Sequence, residues 1–372
     1  MDYKSTFSSN NEIVAAVEEI KQNLSEVSDP GLIVYFASSL FSVDAVSRLM
    51  AEAFPMAQTI GCSAFGEMVS NKMLTGSIVA LACGRRSIPR LKIEVLENIK
   101  ENKQAVSDAF EKFEKYFQTP MSKLFPSRYV GLLLVDGQSK CEEYINDQIG
   151  NLTNVVFIGG SAGTKIFGDP TYIFVNGKTY SNAAALVLME PVNGFAFLKT
   201  QSLALTEKKI TPTKVDEASR IVYEFNHRPA TEAYADILNL SVAELPSRFT
   251  TNPLALVMDE TLFYVRDPHR ILDHGAIEFF CAVKEGVELT VLQARDIVAD
   301  TRRDLENTWY NNRNLSAIIE FNCVSRMNEL REKQQGDEYA ALFKSIPTIS
   351  FASFGESYIL HMNQSSTMLL LK

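Results

Sequence analysis

One pattern recurs three times along the chain and narrows its possible folds more than any other feature: an apolar strand, a helix, a second apolar strand and a bend of small residues. Leu32–Phe36 leads through a helical stripe at Val43, Val46, Leu49 and Met50 to Thr59–Ala64 and the bend Phe65-Gly66-Glu67. Gly131–Val135 leads through Glu142–Ile149 to Val155–Ile158 and the bend Gly159-Gly160-Ser161-Ala162-Gly163. Ala317–Phe321 leads through a charged helix over about residues 326–344 to Thr348–Ser353 and Phe354-Gly355-Glu356. This spacing predicts parallel βαβ crossovers, and the near-continuous apolar strands predict sheets covered on both faces. Matched Phe-Gly-Glu bends in the first and third units exceed what βαβ architecture demands and point to two related α/β halves. Ligands collect at the carboxyl ends of strands in open α/β sheets. The bends are therefore expected to face a common ligand cavity.

Other segments predict antiparallel material and mixed sheets. Thr171–Val175 turns at Asn176-Gly177 into Thr179–Met189, a pair tolerant of positive φ as a tight hairpin needs. Leu262–Val265 and Ile277–Val283 bracket another connection. Ser9 and Glu12 have capping-box spacing ahead of a stripe at Ile13, Val17, Ile20 and Leu24. The polar stretch Thr206–Pro212 is the linker candidate, giving domains of residues 27–210 and 211–368.

The 372 residues favour two domains. A formal net charge of −9 argues against nucleic acid and anionic lipid as partners, since both need a positive field. Five scattered cysteines without C-x-x-C predict reduced thiols and no zinc site of the usual spacing, which fits a cytoplasmic protein. The polar N-terminus lacks a signal-peptide core, and no apolar run approaches the about 20 residues of a membrane span.

Gly159–Gly163 also matches G-x-S-x-G, the nucleophile elbow of hydrolases. A helix should follow the serine at once, whereas Gly168 and Pro170 break the chain, so a tight turn is the better reading of Ser161. No phosphate-cradling glycine motif is present. Cys62 has no nearby histidine or basic group to activate it and reads as a buried thiol. Glu67 and Glu356 occupy equivalent places; they either line a cleft for acid–base work or amine binding, or cap a following segment or bind an arginine such as Arg266 or Arg326. Of the four histidines, His227, His269, His274 and His361, the last follows an apolar run beside a Phe-Gly-Glu bend and is the foremost ligand-contacting candidate.

Taken together, Gly61–Glu67, Leu132–Gly137 and Gly159–Gly163 in the first half resemble the FIST family of paired FIST-N and FIST-C sensory domains. In the second half the matching stretches are Arg228–Ala230 with Tyr234, Tyr264–Arg266, Phe279–Gly286, Phe321–Arg326 and Phe354–Glu356. The ending His361–Thr367 resembles the stand-alone nitric-oxide-sensing branch, with Phe354 in place of the usual tyrosine and Met368 in place of a glycine. The resemblance implies a bacterial sensor without catalysis. It would hold haem b non-covalently and act on a separate histidine kinase or cyclic-di-GMP enzyme, since no output domain is recognised in the chain. His361 is then the candidate axial donor. The candidate ligand-binding residues are Cys62, Ser63, Gly66, Glu67, Gly160, Ser161, Arg266, Arg326, Phe354, Gly355, Glu356, Asn363 and Gln364. Two alternatives stand beside it. One is a sensor of amino acids or other small polar ligands using Glu67, Glu356, Arg266 and Arg326; the other is an enzyme with Ser161 or a cysteine as nucleophile.

Overall fold

A computed structural model describes residues 1–166, 168–259, 262–312 and 314–372, with the side chains of residues 310 and 311 left aside. The chain is α/β with mixed sheets and antiparallel hairpins. The recurrence seen in sequence extends to whole repeats. The first comprises β1 (Tyr3–Ser8), α1 (Ile13–Leu24), β2 (Pro30–Ser38), α2 (Val43–Ala53), β3 (Gln58–Ala64), the hairpin β4 (Glu67–Val69) and β5 (Lys72–Leu74), and β6 (Ile78–Gly84). The second repeats that order as β7 (Arg90–Glu97), α3 (Ala105–Phe117), β8 (Val130–Val135), α4 (Glu142–Leu152), β9 (Phe157–Ser161), β10 (Ile173–Val175), β11 (Lys178–Tyr180) and β12 (Ala183–Glu190).

The third repeat opens with β13 (Phe195–Thr200) and is then interrupted by an inserted lobe. The lobe holds β14 (Leu203–Ile210), β15 (Pro212–Asp216), β16 (Ile221–Phe225), β17 (Arg228–Pro229), α5 (Ala230–Leu238), β18 (Leu254–Val257), β19 (Phe263–Arg266), β20 (Pro268–Ile271), β21 (Ile277–Phe279) and β22 (Leu289–Ala294). The repeat resumes with α6 (Ile297–Asn311), β23 (Ala317–Cys323), α7 (Val324–Glu332), α8 (Gly336–Ala341), β24 (Thr348–Ser353), the hairpin β25 (Glu356–Tyr358) and β26 (Leu360–Met362), and β27 (Ser366–Leu371).

Three six-stranded sheets result, with orders β1-β6-β2-β3-β10-β11, β7-β12-β8-β9-β25-β26 and β13-β27-β23-β24-β4-β5. In each, only the third and fourth strands are parallel, which is the predicted βαβ crossover. The hairpin that follows each crossover leaves its own repeat and completes another's sheet: β4–β5 joins the third, β10–β11 the first and β25–β26 the second. Alternating residues such as Val34, Phe36, Leu132, Leu134, Phe321 and Phe351 meet in one core between the sheets. The outer faces are covered by α1 and α2, by α3 and α4, and by α6 to α8. Both faces being buried explains why the strands read as unbroken apolar runs.

Several local expectations are corrected. Ser9 and Glu12 form no capping box; Asn10 Oδ1 accepts from the Glu12 amide at 2.9 Å, and α1 has no side-chain cap. The charged helix predicted over 326–344 is two helices, parted near Gln334, which takes φ 56°. Thr206–Pro212 is not a linker but lies largely in β14, in which Glu207 and Lys209 are exposed while Leu203 and Ile210 are buried. Asn182, at φ 46°, divides the strand predicted over Thr179–Met189, and the one predicted over Ile277–Val283 ends at Phe279. No described helix is long and apolar enough to cross a membrane.

Candidate functional site

The three bends do converge, but on one another. Ser63 Oγ donates to Gly163 O at 2.9 Å, the Ala352 amide donates to Gly66 O at 2.8 Å, and the Ser161 amide donates to Gly355 O at 2.9 Å. Among the described residues the bends are thus hydrogen-bonded directly to one another rather than set apart around a shared space. A cavity of about 530 Å³ instead lies beside the third bend, where the inserted lobe covers α4 and β26.

Its walls come from three parts of the chain. α4 contributes Glu143 and Asn146, β26 contributes Leu360 and His361, and the lobe contributes Arg220, Leu256, Arg266, Ala282, Val283 and Leu289. The crevice exists because the second and third repeats supply a helix and an exchanged hairpin side by side. Lobe residues then roof it: the Ala282 amide donates to Glu143 Oε1 at 2.7 Å, and Gln364 Nε2 donates to Asp267 Oδ1 at 2.7 Å.

His361 is 2% exposed, and neither ring nitrogen has a hydrogen-bond partner among the described residues. Burial pushes its pKa below the usual value against the pull of Glu143 and Glu142, so the ring is neutral and carries a free lone pair. The ring lies against the backbone of Gly355, where a Cβ would come within 2.1 Å of Cε1. Burial works against the Glu143 carboxylate, but the Arg220 guanidinium and the Ala282 amide hold the group below the usual carboxylate range. The Arg220 guanidinium bridges Glu142 and Glu143, each at 2.6 Å, and donates to Phe280 O at 2.6 Å. Arg266 donates only to the carbonyls of Val265 and His361, each at 3.2 Å, and has no acidic partner among the described residues. Cys281, fully buried behind His361, donates to Asn363 Oδ1 at 2.5 Å, and burial pushes its thiol up. Donor atoms of Glu143, Cys281 and His361 all lie within 4.8 Å of one another.

Of the residues singled out in sequence, Arg266 and His361 line the cavity, and Gly355 and Asn363 back it. Ser161 is one step removed: its Oγ donates to Glu142 at 2.8 Å, and among the described residues no helix starts directly after it, as a nucleophile elbow requires. Gln364 anchors the lobe through Asp267. The others sit elsewhere. Cys62 is in the central core with its thiol pushed up by burial, and Ser63 ties β3 to Gly163. Gly66 lies against Arg331, Gly160 pairs with Glu356, and Phe354 belongs to the core under α7. Glu67 and Glu356 are caps: Glu67 Oε2 accepts from Ser77 Oγ at 2.7 Å, and Glu356 Oε2 from Ser365 Oγ at 2.8 Å. Arg326 is buried among Asn322, Ser202 and Thr301. Among the other histidines, His269 faces Glu278 and Phe280, whereas His227 and His274 are exposed.

Sequence reasoning missed Glu143, Arg220 and Cys281. Adjacent acids opening a helix were the one visible sign of the first, and Cys281 lay within a quoted family stretch without a reason to single it out.

A lobe inserted into a repeating α/β body covers a cavity that carries a buried imidazole, unpartnered among the described residues. The FIST N domain matches residues 31–228 and the FIST C domain matches residues 230–358, and the chain belongs to the FIST family. FIST domains are associated with sensory signalling. No curated protein matches the chain.

Proposed function

We propose that the chain is a cytoplasmic haem-based nitric oxide sensor acting in trans on a histidine kinase or a cyclic-di-GMP enzyme. The observation that carries this reading is His361: a neutral, buried imidazole with two unpartnered nitrogens on a cavity wall suits a metal-centred guest. Leu256, Val283, Leu289 and Leu360 keep the wall apolar, while Arg266 and Lys284 are cations suited to acidic substituents. Haem, when bound, supplies the iron that nitric oxide ligates. The protein's part is to present the imidazole, exclude water and hold the lobe against α4. Lobe and body both wall the cavity, so a change in the guest favours one arrangement of the two over another, and a partner reads that arrangement.

Reconstitution tests the reading. One haem per chain with a Soret band that His361→Ala shifts or abolishes supports it; no band, or a band indifferent to the substitution, removes it. Arg266, lacking an acidic partner, specifically favours a second reading, a sensor of amino acids or similar small carboxylates. Amino acids that raise the melting temperature of the wild type but not of Arg266→Ala would support that alternative.

A further inference from the structure

We infer that Glu143, Cys281 and His361 form a mononuclear site for a borderline-soft divalent cation of the zinc class, with its fourth position open to the cavity. The inference shares the cavity with the proposed haem reading but does not rest on it, because the two guests would compete for His361.

Three observations carry it. First, an imidazole nitrogen, a sulfur and a carboxylate oxygen lie within 4.8 Å of one another, although they come from β26, the lobe and α4. Donors around tetrahedral zinc are about 3.5 Å apart, so a small inward rotation of the three side chains closes the shell. Second, His361 is buried with both nitrogens unpartnered among the described residues, an arrangement that is costly unless something fills it. Third, two donors already have orienting partners of the kind that surround metal ligands. Arg220 and the Ala282 amide fix Glu143, and Asn363 holds Cys281.

The single Arg220 guanidinium bridges the Glu142 and Glu143 carboxylates, so Glu143 keeps its place at the site, while Arg266 stands on the opposite wall. Imidazole with a thiolate selects zinc, cobalt or similar ions over magnesium and calcium. Binding exchanges the thiol proton for the metal: a metal–sulfur bond forms, the S–H bond breaks, and the proton leaves to solvent. Asn363 then loses the proton it accepts and can turn its amide N–H toward the thiolate. The open fourth position next to Arg266 suits an anionic guest, with the metal taking one oxygen and the guanidinium another.

Cobalt(II) titrated into the full-length chain after chelator stripping tests this. One equivalent should give a thiolate-to-cobalt charge-transfer band and four-coordinate ligand-field bands, all bleached by zinc(II). Cys281→Ser should abolish the charge-transfer band. Glu143→Gln and His361→Ala should each weaken cobalt binding by about tenfold or more. X-ray absorption of the zinc-loaded wild type needs no variant and should show one sulfur at about 2.3 Å with lighter scatterers. Absence of the charge-transfer band, its survival in Cys281→Ser, or a zinc shell without sulfur would overturn the inference. Failure of haem to bind would leave these results untouched.

Discussion

A methyl group on Gly355 would stand 2.1 Å from His361 Cε1 and 2.7 Å from Nε2, distances that force the imidazole to move. Gly355→Ala should therefore act as a lesion of His361, lowering stability by about 1–3 kcal/mol through overpacking. It should also weaken any guest or metal held by the ring, as the same spectroscopic titrations would reveal. Glu67 gives a pH prediction. Burial pushes its carboxyl up to about 7 from 4.5, against opposing pulls from Ser77, Arg331 and Lys165. The folded state then holds the proton more tightly than the unfolded chain, so this contribution is complete below about 4.5 and is lost as pH rises through about 7. Linkage puts the loss on the order of 3 kcal/mol. Glu67→Gln should flatten that part of the stability–pH curve in urea unfolding; Asp267, pushed up to about 7, and Glu356 keep a residual slope. At this scale the sequence revealed residues whose meaning is local. His361 and Gly355 stood out by their place beside a bend, whereas Glu143, Cys281 and Arg220 matter only through neighbours 60 or more residues away (Arg220 lies 78 from Glu142).

Arg220 ties the lobe to α4 beside the contact of the Ala282 amide with Glu143. Arg220 has a left-handed backbone at φ 60°, which aims its guanidinium between Glu142 and Glu143 at the N-terminus of that helix. Arg220→Ala would leave two acids facing each other in a largely buried position, and a broken buried pair costs about 3–5 kcal/mol. Hydrogen exchange should show early opening of α4 and β21, and Arg220→Lys should rescue it poorly because an ammonium lacks the planar fork. Strands and crossovers were legible in sequence because burial on two faces leaves an apolar run with no alternation. The break near Gln334 was not, although Gly336 stands two residues on, because a lone glycine within a helical pattern is tolerated and does not by itself mark a stop. Nor could sequence show that β4–β5 and β25–β26 leave their own repeats. A short hairpin looks the same whichever sheet it completes, and the choice is made by the cyclic closure of three sheets on one core.

The whole molecule is a closed ring of repeats with one addition. Hairpin exchange ties each repeat to another, so the body cannot be divided at the family boundary near residue 229 without opening the second and third sheets. The lobe differs. It has its own core around Phe225, Tyr234, Phe279 and Val291, separate from the core of the three sheets. It also enters and leaves at one point, where Leu203 pairs with Ala294. Replacing residues 203–294 by a short glycine–serine turn should therefore leave the body folded, because the turn closes two ends that are already adjacent. The excised form should keep a cooperative thermal transition and run as a compact species in size exclusion. It should bind neither haem nor cobalt at the His361 site, having lost Cys281, Arg266 and the roof. If it retained the guest with wild-type affinity, the receptor would lie in the body alone and the cavity between lobe and α4 would have no sensory role. If the body collapsed instead, the contacts through Asp267, Arg220 and Cys281 would be part of its stability, and the lobe would be structural before it is functional.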